Sequence, residues 1–145
     1  MISLTGSATT RLLGVLALSF GLSACETTPK AARSFSDPAV QKLYMLPVPD
    51  YYGTVRLAKQ VTQACPRYRF DQAQDYQVNE KRNAEGRGSV AALSQGGAID
   101  VMADVLKREF QAKYEVVVGQ DNLCAAADQD YAKNTALASL LVPVS

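Results

Sequence analysis

Residues Asp50–Cys65 read DYYGTVRLAKQVTQAC, and their spacing decides what kind of fold this chain adopts. Tyr51, Val55, Ala58, Thr62 and Cys65 recur at three- and four-residue steps, the period of one helix face. Leu57, Val61 and Ala64 widen that face into a stripe broad enough to cover a core. Asp50 is a residue type that caps helices, and Pro66 lacks the N–H a continuing helix needs. A helix is therefore predicted from Asp50 to about Ala64–Cys65, with one buried side that carries a cysteine.

Upstream, Asp37-Pro38 is a helix-start signal, Asp as cap and Pro at the first helical position, and it predicts a short helix Pro38–Tyr44. Met45-Leu46-Pro47-Val48-Pro49 is predicted to be extended, because each Pro disfavours helix in the residue before it. With Leu43 and Tyr44 this is the most apolar part of the early chain. It either packs over the helical core or presents Leu43, Tyr44, Met45, Leu46 and Val48 as a docking strip for a partner.

Downstream, Arg67–Arg87 is polar, with Tyr68, Phe70, Ala73 and Tyr76 as its apolar members, and a solvated helix is expected over part of it. Gly86-Arg87-Gly88-Ser89 marks a turn, and Gly96-Gly97 marks another break. From Ala98 the helical period returns. Ile99, Met102, Leu106 and Phe110 share a face, β-branched Val116–Val118 fray the end, and Gly119 is the expected stop. Asp121 or Asn122 then caps a last helix carrying Leu123, Ala127, Tyr131 and Ala138 on one side, with Cys124, Leu137 and Leu141 beside them, until Pro143. No alternating apolar run is long enough to predict a sheet. The expected fold is all-α, a small bundle of three to four helices.

The chain has 145 residues, 15 Lys and Arg against 14 Asp and Glu, and neither His nor Trp. That length suggests one domain. Near-neutral charge gives no reason to expect nucleic acid or strong attraction to acidic lipids. Without His there is no Ser-His-Asp triad, His-paired cysteine or His-ligated metal, and no cofactor or metal is expected. Gly86-Arg87-Gly88-Ser89 lacks the Gly-Lys-Ser/Thr ending of a phosphate loop. Asp71 and Asp75, one helical turn apart beside Arg67, Arg69 and Lys81, read as a solvated face rather than a paired-carboxylate site. Asp121, Asp128 and Asp130 do not follow a calcium-loop spacing. Lys81, Arg82 and Arg87 form a local basic patch, diluted by Glu80 and Glu85.

The N-terminus has three parts: polar Met1–Arg11 with one positive charge, the apolar run Leu12–Gly21, and Leu22-Ser23-Ala24 just before Cys25. This is the layout of an export signal, and the run is too short for a spanning helix of about 20 apolar residues. Leu22-Ser23-Ala24-Cys25 resembles the lipobox of bacterial lipoproteins. The resemblance implies removal of residues 1–24, lipidation of the Cys25 sulfur and acylation of the new amino group. A thiolate is the nucleophile such a transfer needs. Glu26 stands where an inner-membrane retention signal would resemble Asp, so the implied address is the outer membrane, facing the periplasm. Residues 25–36 read as the lipidated cysteine and a polar tether. Its eleven residues after Cys25 give a reach of roughly 18 Å as a random coil. Residues 37–145 read as the single helical domain.

With Cys25 used by lipid, Cys65 and Cys124 remain, an even pair in a compartment where disulfides persist. They are expected to pair and clamp the bundle, the other reading being two buried thiols. From Cys65 to Leu141 the chain is also similar to a family of small exported alphaproteobacterial proteins of unknown function. The similarity lies in Leu123-Cys124, Asp130-Tyr131-Ala132-Lys133, Thr135, Leu137-Ala138 and Leu140-Leu141. Thr135 stands where that family usually has Ser, Ala138 where it has Gly, and Arg67–Gly97 departs from it. The resemblance implies a helical, disulfide-clamped domain and no activity. The expected function is a non-enzymatic, outer-membrane-anchored interaction module that meets the membrane through its lipid and another envelope protein through its surface. The alternatives are an envelope enzyme or small-ligand carrier using surface carboxylates, and a purely structural envelope lipoprotein.

Overall fold

The structure is a computed structural model and describes residues 30–88 and 97–144. Among the described residues five α-helices and one small sheet occur: α1 (Pro38–Met45), α2 (Val48–Ala64), β1 (Tyr68–Phe70), α3 (Gln72–Ala84), α4 (Ala98–Tyr114), α5 (Cys124–Ala132) and β2 (Leu141–Pro143). The fold is helical and is clamped by one disulfide between Cys65 and Cys124, with Cα atoms 4.9 Å apart.

Asp37 caps α1, its carboxylate accepting the Ala39 N–H at 2.8 Å, with Pro38 in the first turn. The expected extended stretch Met45–Pro49 is not extended throughout. Met45 closes α1, Val48 opens α2, and only Leu46 and Pro47 separate the helices. Pro49 is tolerated in the first turn because those N–H groups have no helical partner in any case. Asp50 accordingly sits in the first turn of α2 rather than at its cap. There its charge still favours the positive helix end.

α2 is the central element, burying Tyr51, Val55, Leu57, Ala58 and Val61. It packs on α4 through Gly53, where a Cβ would stand 3.2 Å from the Ala103 backbone nitrogen, so the missing side chain lets the helices approach closely. Pro66 follows the end of α2 as expected. The chain then makes a strand that sequence periodicity did not predict: Tyr68, Arg69 and Phe70 pair antiparallel with Pro143, Val142 and Leu141. Three residues are too few to show an alternation. Pro143 is tolerated because the ladder has only two strands and its missing N–H faces an edge.

α3 is the helix expected over part of Arg67–Arg87, but one side of it is buried rather than solvated. Its inner row is Gln74, Val78 and Arg82, spaced by four, with Ala73 beside them. Two of those buried positions are polar, which hid the row from a hydrophobic pattern. α4 ends at Tyr114, earlier than Gly119, with Glu115 in the left-handed region at φ 53°. The last helix is also shorter than expected. α5 stops at Ala132, Asn134 takes φ 47°, and Leu137–Leu140 form a 3₁₀ helix before β2. Leu137, Ala138, Leu140 and Leu141 are all buried. A continuous apolar run of this kind marks burial on every side and does not specify helix.

Candidate functional site

Two corners of the molecule gather chemistry-bearing side chains. In the first, α4 supplies Lys113 and Tyr114, α5 supplies Asp130, and the turn after Asn134 supplies Thr135. Asp130 is 4 % exposed. One carboxylate oxygen accepts from Lys113 Nζ at 2.9 Å and from the Tyr114 hydroxyl, and the other accepts from Thr135 Oγ1 at 2.9 Å. Thr135 Oγ1 in turn accepts the Ala138 N–H at 3.1 Å, starting the 3₁₀ turn. Asp130 and Thr135 together fix the corner after α5. A Ser hydroxyl at position 135 has the same bonds open to it.

A cleft of about 250 Å³ opens beside Asp130, with Leu57, Leu106, Phe110 and Leu137 on its floor and Asp50, Glu109 and Lys113 at its rim. It falls below the roughly 300–1,000 Å³ typical of small-molecule sites. Three donors occupy Asp130, and an ionised carboxylate offers about four acceptor positions. The arrangement is a hydrogen-bonded clasp between α4 and α5.

The second corner lies where the described chain begins. Residues 30–36, expected as tether, are docked on the domain. Ala31 is buried, and the Ala32 N–H donates to Asp71 Oδ2 at 2.8 Å. The Arg33 guanidinium meets Asp37 at 3.1 Å and lies 4.6 Å from the Tyr131 ring centre. Phe35 packs edge-on against Tyr44, with ring centres 5.1 Å apart. Beside this strap a groove of about 670 Å³ is lined by Lys30, Arg69, Phe70, Asp71, Gln72 and Tyr76.

The structure places several of these candidate residues in the interior. Leu43 and Tyr44 are buried and Leu46 is half-buried, while Met45 is exposed, so the five residues proposed as a docking strip form no continuous surface. Asp71 does not belong to a solvated face; it is 2 % exposed, caps α3 through the Gln74 N–H at 3.0 Å and holds the strap. Asp75 accepts the Tyr51 hydroxyl at 2.5 Å. The basic patch also dissolves: Arg82 is 1 % exposed, and Lys81 pairs with Glu85 at 2.6 Å. Gly86, at φ 71°, does make the expected turn. Asp121 accepts the Val117 N–H at 2.6 Å, and Asp128 accepts from Arg67 at 2.7 Å. Cys25, the lipidation candidate, lies outside the described residues. The Lys113–Tyr114–Asp130 clasp escaped the sequence reading, since nothing local links α4 to α5.

Four tyrosines titrate high. Burial and then Asp128 push Tyr68 up to about 12, and burial with the Asp75 hydrogen bond raises Tyr51 further. Burial also raises Tyr52 and Tyr114. The unfolded phenol titrates near 10. A raised folded value means the neutral phenols contribute stability that is complete below pH 10 and declines as pH rises through about 12. Denaturant unfolding at stepped alkaline pH is expected to show that decline, with phenolate absorbance appearing as structure is lost. A stability flat across this window would show that these hydroxyls are not held as described.

Comparison of the chain with protein-family profiles, with curated proteins and with solved structures finds no match.

Proposed function

We propose that this chain is a lipid-anchored module of the bacterial cell envelope, facing the periplasm from the outer membrane, that binds another envelope protein and catalyses nothing itself. The observation that carries this reading is the buried Cys65–Cys124 bridge joining the end of α2 to the start of α5. Such a bridge persists in oxidising compartments, the class of address that Leu22-Ser23-Ala24-Cys25 implies. None of the described helices is long and apolar enough to cross a membrane. The non-catalytic part rests on Asp130, whose oxygens are already committed to Lys113, Tyr114 and Thr135.

Changing Cys25 to Ser is expected to abolish incorporation of labelled palmitate and to leave the unprocessed precursor. Normal processing and labelling would remove the anchor from the reading. Chemical cross-linking in intact envelopes, followed by capture of the anchored protein and of the Cys25→Ser form, tests the binding role. Partners specific to the anchored form support it, and their absence despite efficient cross-linking favours a purely structural role.

A further inference from the structure

The groove beside Lys30 sits where the chain leaves the fold toward Cys25, and its chemistry suits one kind of neighbour. Five residue steps separate Lys30 from Cys25, at most about 18 Å when fully extended. A lipidated Cys25 lies at the glycerol level, and the headgroup layer takes up about 5–7 Å of that span. The exit point is not free to wander, because Ala31 is buried and the Ala32 N–H is held by Asp71 at 2.8 Å. The anchor therefore brings one particular face of the domain to within about 12 Å of the headgroups.

That face is basic and aromatic although the chain as a whole is near neutral. Lys30 and Arg69 line the groove, and Lys59 Nζ stands 5.0 Å from the Phe70 ring centre. Among the described residues none of these three cations is in an ion pair. Tyr76 is 59 % exposed and Phe70 is half-buried, the amphipathic ring types that settle at headgroup depth. Among the neighbouring carboxylates, Asp71 is buried under the strap and Asp75 is taken by Tyr51, which leaves Glu80 exposed one turn beyond Tyr76. Each basic side chain at an anionic lipid surface strengthens the contact roughly fivefold.

We propose that the surface made by Lys30, Lys59, Arg69, Phe70 and Tyr76 rests on the anionic phospholipid headgroups of the membrane that holds the Cys25 lipid, so that the module is oriented as well as tethered. This inference rests on the anchor reading above. Val101, on α4, is exposed and does not line the groove.

The test uses the full lipidated protein in vesicles of phosphatidylcholine with phosphatidylglycerol. A photo-reactive phenylalanine replaces Tyr76 in one sample and Val101 in another. Position 76 is expected to cross-link lipid at least roughly tenfold more than position 101. The triple variant Lys30→Glu/Lys59→Glu/Arg69→Glu is expected to lose most of that yield, since three contributions of roughly fivefold disappear. Its three sites are exposed or at the chain start, and an unchanged melting curve checks that it folds. Equal yields at the two positions, or an undiminished yield in the triple variant, overturn the inference. So does capture of a protein by position 76 in native envelopes where lipid was expected. Mass spectrometry of the mature N-terminus separates the two levels. A Cys25 without lipid removes the anchor reading and this inference with it, whereas a lipidated Cys25 without lipid preference at position 76 removes the inference alone.

Discussion

Removing the Cys65–Cys124 bridge is expected to lower the unfolding free energy by about 4 kcal/mol in the chain-entropy account of disulfides. The bond closes a loop with a sequence separation of 59, so the unfolded chain loses a large ensemble of open conformations when it forms. Cys65 is fully buried, Cys124 is 7 % exposed, and the Leu123 N–H reaches the Ala64 carbonyl at 3.4 Å alongside the bridge. The end of α2 and the start of α5 are thus joined covalently and by backbone together. A domain of this size has a total stability of about 5–15 kcal/mol, so the loss is a substantial share. Denaturant titration of Cys65→Ala/Cys124→Ala against the oxidised parent measures it. A matching midpoint in the two would mean that packing alone holds the helix ends together. Ala rather than Ser is the replacement of choice, because a hydroxyl at position 65 would be buried without a designed partner.

The second large effect is expected at Arg82. Its guanidinium is buried and forms no ion pair among the described residues. It is held instead by carbonyls: it donates to the Tyr44 oxygen, to the Leu46 oxygen at 2.8 Å and to the Arg87 oxygen at 3.3 Å. Tyr44 and Leu46 lie at the C-terminal end of α1, where the unsatisfied carbonyls carry the negative end of the helix dipole. The ring of Tyr51 lies 4.7 Å below the guanidinium carbon. One side chain therefore ties α3 to the end of α1 and to the turn after α3. Arg82→Ala leaves those carbonyls unpaired and opens a cavity, and is expected to cost about 4 kcal/mol. Arg82→Met refills most of the volume without the donors. If hydrogen bonding is the cause, it still costs about 2 kcal/mol. A Met variant as stable as the parent would show that volume alone matters. Urea midpoints for the three proteins decide this.

These sites show where sequence reasoning stops. The helical face of α2 was legible because Tyr51, Val55, Ala58 and Val61 point one way at a period set by the backbone. The Asp37 cap and the end of α2 before Pro66 were legible because caps and prolines act within a few residues. The cysteine pair was legible by count. Arg82 reads from the sequence as part of a basic surface, because nothing within several residues announces the carbonyls of Tyr44 and Leu46 that receive it. Asp71 reads as solvated for the same reason, its partner Ala32 lying 39 residues away.

By itself, then, the sequence determined the helical class, the main amphipathic faces and the two cysteines that pair. Each of these follows from local stereochemistry or from the order of residues along the chain. Only the tertiary structure decided that residues 30–36 are a docked strap, that α3 buries Gln74 and Arg82, that Asp130 clasps α4 to α5, and that a short strand pairs with the chain end. Those outcomes depend on polar groups that must be satisfied once buried, by partners tens of residues distant. A hydrophobic period records which side of a helix is dry, but not which distant carbonyl or N–H will meet the polar side chain placed there.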